Sequence, residues 1–173
     1  MRPYGARPMK IGIISDSHGK AKRLRAAIDV LTDRGVETIV HCGDIGSREC
    51  MEVLGSASVP TYAIPGNMDR HAEQLAAIAA RSGVEFSWEI VRVPIGDNEY
   101  LVATHGDDED ILGELITEGQ FRYVCHGHTH HARDERIGKV RVINPGALHH
   151  ARRHTIAVVD TATDELVHIE LKD

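Results

Sequence analysis

At 173 residues, with 42% hydrophobic and 27% charged side chains, the chain is sized for one domain with its own core, and no linker is expected. A formal charge of −6 argues against non-specific grip on nucleic acid or anionic membrane, and no apolar run approaches the roughly 18 residues of a membrane helix. Twelve histidines are many for this length, and imidazole is the commonest protein metal ligand, so the excess calls for a reason.

Met1 to Pro8 holds two prolines, two arginines and a glycine, and reads as a flexible lead-in to a single domain over residues 9–173. Lys10 to Ile14 is a β-branched run that stops at Ser15-Asp16-Ser17-His18-Gly19, after which Leu24, Ala27, Ile28 and Leu31 recur at helical spacing. Asp16 and Ser17 can serve as helix N-caps there. Asp16 and His18 can equally be a carboxylate and an imidazole set on one side of a strand tip.

Glu37 to Cys42 is a second such run, closing on Gly43-Asp44-Ile45-Gly46, and a helix is expected from about Ser47 to Leu54. Asp44 is either a turn residue or, having two oxygens, a bridge between two metals. His41 lies inside its run and reads as a packed strand histidine. Val59 to Ile64 is the third strand, ending in Pro65-Gly66-Asn67-Met68-Asp69, and Ala72 to Ala80 forms a helix stopped by Gly83. The neutral carbonyl oxygen of Asn67 can bind a metal without adding charge.

From Glu85 to Pro94 the chain reads as one arm of an antiparallel hairpin about Gly96-Asp97-Asn98, the other arm being Tyr100 to Thr104 ahead of His105-Gly106. Asp107, Asp108, Glu109 and Asp110 suit the positive end of the following helix, or else narrow the entrance of a site. Phe121, Tyr123 and Val124 lead into Cys125-His126-Gly127-His128-Thr129-His130-His131. If the backbone stays extended there, His128 and His130 face the same side. Two hairpins finish the chain, and between them His149-His150-Ala151-Arg152-Arg153-His154 is a basic loop, either solvated surface or a clamp for a phosphoryl or leaving group.

The three cysteines, Cys42, Cys50 and Cys125, show no CxxC spacing and read as reduced thiols of a cytoplasmic protein. Strands alternating with helices and then hairpins suggest two mixed sheets with helices outside. In such folds the ligand crevice lies beyond the strand ends, where Asp16, His18, Asp44, Asn67, His105, His128 and His130 all fall. Divided around a bridging Asp44, they give two sites, each with two oxygens and two imidazoles. That mixture favours manganese, iron, cobalt, nickel or zinc over magnesium or calcium, with manganese the leading choice. Two such ions can hold a hydroxide between them and clamp a phosphate ester for in-line attack.

Asp16-x-His18, Gly43-Asp44, Gly66-Asn67, His105-Gly106 and Gly127-His128-Thr129-His130 resemble the five motifs of the calcineurin-like metallophosphoesterases. Their order and spacing, with Asn144-Pro145-Gly146, are similar to the small single-domain phosphodiesterases of the YfcE and retromer-subunit branch. The resemblance implies an α/β fold, a four-layer α/β/β/α sandwich with a dinuclear metal site. It assigns Asp16, His18, Asp44 and His130 to one metal and Asp44, Asn67, His105 and His128 to the other, with Asp44, Asn67 and His105 as the catalytic group. One departure matters: where many family members carry a proton-donating His, Met68 stands here. The expected protein is a phosphodiesterase acting on a small or nucleotide-like phosphoester, without stable nucleic-acid binding or membrane association, and able to form a homodimer. The alternatives are a protein-binding scaffold of the retromer-subunit type and a nuclease.

Overall fold

Strand β1 (Lys10–Ile14) buries every residue after the first, which is what a strand covered on both faces requires. The computed structural model describes residues 7–172; the first six residues of the expected lead-in lie outside the described residues, and Arg7 and Pro8 are exposed and precede β1. The chain continues through α1 (Ala21–Asp33), β2 (Thr38–His41), α2 (Arg48–Gly55), β3 (Thr61–Ala63), α3 (Ala72–Ser82) and β4 (Val84–Phe86). It then runs through β5 (Ile90–Gly96), β6 (Glu99–Thr104), α4 (Glu109–Thr117), β7 (Tyr123–Cys125), β8 (Arg133–Ile137), β9 (Val140–Asn144), β10 (Thr155–Asp160) and β11 (Glu165–Glu170).

Two mixed sheets form, ordered β11-β10-β1-β2-β3-β4 and β5-β6-β7-β9-β8. β1 to β4 run parallel, as do β6, β7 and β9, and the flanking strands pair antiparallel. Ile11, Ile13 and Val40 pack against Val93, Leu101, Tyr123 and Ile143 between the sheets. Leu24, Leu31, Met51, Leu54 and Ile78 press α1, α2 and α3 onto the outer face of the first sheet, and Leu115 seats α4 on Val102, Val124 and Val142 outside the second. The result is the four-layer α/β/β/α sandwich. Removing Leu31 or Met51, both fully buried, to Ala would cost about 2–5 kcal/mol.

Local signals set most element ends. The Ser47 hydroxyl accepts from the Cys50 amide at 3.1 Å, and the Asp108 carboxylate accepts from the amides of Asp110 and Ile111, so the acidic run opens α4 as a cap. Two expectations need correction. Residues 85–94 are not one hairpin arm: β4 joins the first sheet beside β3, and only β5 pairs with β6. Asp16 and Ser17 do not cap α1, which begins at Ala21 behind Lys20, an N-cap residue that makes no side-chain cap bond.

Candidate metal centre

The loops after β1, β2, β3, β6 and β7 meet at one edge of the two sheets. Five of the residues they carry, Asp16, His18, Asp44, His128 and His130, have φ between 43° and 65°. Non-glycine residues avoid this left-handed region, at a cost of about 1–3 kcal/mol each, so the surrounding bonds must hold them there. The amides of Asp16 and His18 donate to the carbonyls of Gly43 and Asp44 at 3.0 and 2.9 Å, laying the first loop along the second. The strand-end His pair also departs from the extended expectation. Because both His128 and His130 are left-handed, they do not share a side: His128 turns to Asn67 and His130 to Asp16.

Among the described residues, Asp16, His18, Asp44 and His130 bring ligand-capable atoms within 4.8 Å of one another. Asp16 Oδ1 lies 3.1 Å from His130 Nε2 and 3.7 Å from His18 Nε2. Asp44 Oδ2 lies 3.6 Å from His18 Nε2 and 3.3 Å from His105 Nε2, so one carboxylate oxygen faces both groups. On the far side, Asn67 Oδ1 is 3.0 Å from His105 Nε2 and 3.2 Å from His128 Nδ1. All seven sequence-selected residues thus converge, four on each side with Asp44 common.

The donor set fits divalent ions. Asp16 Oδ1 is buried with no hydrogen-bond donor, a costly state for a carboxylate oxygen unless a cation meets it. The ring nitrogens facing away from the centre are engaged: Nδ1 of His105 donates to the Cys42 carbonyl at 2.8 Å and Nδ1 of His130 to the His150 carbonyl at 3.1 Å. A carbonyl only accepts, so each ring, once it has lost its second proton, presents an Nε2 lone pair inward. Burial would lower the pKa of His105, but its bond to the Asp44 carboxylate outweighs this and holds it at about 9. Burial pushes Asp44 up, and His105 with the Met68 amide pulls it back below the ordinary carboxylate value. Burial depresses His18 despite the two carboxylates beside it.

Residues outside the seven hold this arrangement. Asp69, 8% exposed, accepts from the amides of Ile45, Gly46 and Gly66 at 3.0, 2.7 and 2.9 Å, tying the Asp44 loop to the Asn67 loop. His41 is fully buried and burial depresses it to about 3, so it is neutral. Its Nδ1 accepts from the Gly43 amide, leaving Nε2–H to donate to the Ser17 hydroxyl at 2.9 Å, which in turn donates to the Ile45 carbonyl. Ser15 donates to Asp16 Oδ2 at 2.6 Å, and the Asn144 side-chain amide donates to the Gly127 carbonyl and the Thr129 hydroxyl at 3.0 Å each. Asn-Pro-Gly and Ser beside Asp were visible motifs, but only the fold gives them partners.

Met68 is 52% exposed and contributes its backbone, whose amide donates to Asp44 Oδ1 at 2.9 Å. Its side chain borders a shallow depression shared with Arg48, Arg70 and His71. On the opposite side, the rings of His149 and His150 stand 6.0 and 5.5 Å from that of His18, so the basic loop does reach the centre. Burial and neighbouring positive charge hold His149 at about 4. The three thiols are buried and unpaired with one another, and burial raises each pKa, so they pack as small hydrophobic side chains. No helix of the described residues is long and apolar enough to cross a membrane.

Comparison with known proteins agrees with the geometry. A calcineurin-like phosphoesterase superfamily domain matches residues 9–164. The phosphodiesterase MJ0936 of Methanocaldococcus jannaschii is 32% identical over 170 residues, spanning 95% of this chain and 100% of that protein. The solved structure of a novel archaeal phosphodiesterase superposes with a TM-score of 0.85 at 32% identity, covering 94% of this chain and 100% of the other. The phosphoesterase YfcE of E. coli shares the fold at 16% identity, with a TM-score of 0.63 and coverage of 95% and 100%.

Proposed function

We propose, because this chain belongs to the calcineurin-like phosphoesterase superfamily, that it is a metal-dependent phosphodiesterase whose residues 9–173 form one catalytic domain. The observation that carries this reading is the pair of ligand groups sharing Asp44, one of them built on a buried carboxylate oxygen without a donor. Asp16, His18, Asp44 and His130 would hold one ion and Asp44, Asn67, His105 and His128 the other. Such a pair, manganese first and nickel, zinc, iron or cobalt next, supplies charge to the phosphoryl oxygens and acidifies water for in-line attack when bound.

The chain's own contribution is placement and protonation. Asp44, Asn67 and His105 are the catalytic group of this reading, and the bonds from Cys42 and Met68 fix the orientation of two of them. His41, Ser17 and Asp69 keep the loops in their strained shape, so the ligand positions are set before any substrate arrives. Met68 cannot give a proton to a departing alkoxide, so esters with good leaving groups are favoured. The reading carries a small phosphoester substrate and a cytoplasmic setting.

The deciding experiment is hydrolysis of bis-p-nitrophenyl phosphate beside p-nitrophenyl phosphate, with protein stripped of metal and then given manganese, nickel, zinc or magnesium separately. Cleavage of the diester that requires a transition metal and vanishes in Asp44→Ala is the expected result. A folded protein inert with every metal would overturn the reading in favour of a binding scaffold.

A further inference from the structure

We propose that the groove between the first turn of α1 and the 147–154 loop binds a second phosphoryl group, so that the natural substrate is a small phosphodiester bearing a further phosphate. This rests on the phosphodiesterase reading and narrows its substrate class. The groove is open, with a volume of about 1320 Å³. Lys20, Lys22 and Arg23 line it from α1, His149 and His150 from the loop, and Lys172 from the end of the described chain, while among the described residues Glu49 is the one acidic residue lining it. Among the described residues, four permanent cations against one acid is a local reversal of sign in a chain whose formal charge is −6.

The groove is continuous with the metal centre. Gly19, which lines it, follows His18 directly, and the His149 and His150 rings that wall it stand 6.0 and 5.5 Å from the His18 ring. The loop wall is fixed at both margins: Arg23 donates to the Leu148 carbonyl at 2.9 Å, and His130 donates to the His150 carbonyl at 3.1 Å. A phosphodiester seated at Asp16, His18, Asp44 and His130 therefore has one arm directed at this wall. Lys20 and Lys22 also sit at the positive end of the α1 dipole, an arrangement in which like charges crowd one another. An anion in the groove relieves that repulsion and forms charge-assisted hydrogen bonds. A small ligand is favoured over a nucleic-acid strand because the chain as a whole carries a formal charge of −6.

Two substrates isolate the effect: thymidine 5′-(p-nitrophenyl phosphate) and its 3′-phosphorylated form, which share the reacting diester and the leaving group. With manganese-loaded protein, the added 3′-phosphate is expected to lower KM about tenfold with little change in kcat, as ground-state binding does. The triple variant Lys20→Gln/Lys22→Gln/Lys172→Gln should lose that advantage, while Lys139→Gln, on the far β8–β9 turn, keeps it. Titration calorimetry with thymidine 3′,5′-bisphosphate on the same proteins gives a readout independent of turnover, and the triple variant should bind about tenfold more weakly. Equal KM values in the wild type, or bisphosphate binding unchanged by the triple substitution, would overturn the inference. Tight binding of an oligothymidylate with none of the bisphosphate would overturn the small-molecule class. If no diester is cleaved with any metal yet bisphosphate binding still depends on the three lysines, the groove stands and the phosphodiesterase reading fails.

Discussion

His18 and His130 meet Nε2 to Nε2 at 3.3 Å, and the buried Asp16 Oδ1 beside them has no hydrogen-bond donor. Nδ1 of His130 is committed to the His150 carbonyl, so a neutral His130 aims a lone pair at this point. That lone pair and the carboxylate oxygen 3.1 Å away repel each other until a cation joins them. Metal should therefore stabilise the fold strongly.

At a hundredfold excess of manganese over its Kd, linkage gives about 2.7 kcal/mol, or a Tm rise of about 5–10 °C for a protein of this size. Asp16→Asn keeps the shape and removes the charge, and is expected to abolish most of that rise. Thermal melts with and without a chelator test both; an undiminished rise in the variant would exclude Asp16 as a ligand.

Metal binding should release protons at neutral pH. Without metal, His105 is held at about 9, because the hydrogen bond and charge of Asp44 outweigh burial. A folded pKa raised above the ordinary 6.5 contributes stability that is complete below 6.5 and lost as pH rises through about 9. Asp44, depressed, contributes in the opposite sense, with stability present above the ordinary carboxylate value and lost as pH falls. A metal at Nε2 must displace the His105 proton, so affinity should climb with pH and level off near 9. Calorimetry in two buffers of different ionisation enthalpy counts the protons, and uptake instead of release would contradict the assignment. Activity should likewise rise from acid toward neutral pH.

The loops around Asp44 leave no room for a methyl group. A Cβ at Gly66 would lie 2.1 Å from Asp44 Oδ1 and 2.4 Å from the Asp44 amide nitrogen. Gly66→Ala is therefore expected to reduce metal-dependent turnover by about 10–100-fold or more. Asp69→Asn replaces an acceptor of three amides with a group that is half donor, and should cause a loss of the same order with restoration at high metal concentration. Turnover measured against metal concentration distinguishes these losses from unfolding.

Met68→His tests the missing proton donor. A new imidazole at this exposed position beside Asn67 should raise turnover of alkyl phosphodiesters, whose leaving groups need protonation, more than that of nitrophenyl esters, which do not. Equal gains on both substrates would place proton donation elsewhere, His71 being the neighbour in the same depression.

Much of the fold was readable because its signals are local. Leu24, Ala27, Ile28 and Leu31 mark the buried face of α1 at helical spacing, and Gly83 at φ 75° ends α3 as its position suggested. The division of residues 85–94 between sheets was not readable. Whether a strand joins its sequence neighbour or crosses to another sheet depends on partners far along the chain.

The sequence by itself determined which donor-capable side chains stand at the ends of the apolar runs: the oxygens of Asp16, Asp44 and Asn67, and the imidazoles of His18, His105, His128 and His130. Side-chain identity is local information, and so is the end of a strand. Tertiary structure alone decided how those side chains are shared. His128 and His130 part company because the chain turns left-handed at both, and a period-two rule holds only while the backbone stays extended. That conformation is unfavourable in isolation and persists because bonds from distant residues over-determine it, among them the amide of His128 donating to Asp16 Oδ2 at 3.1 Å across 112 positions of sequence.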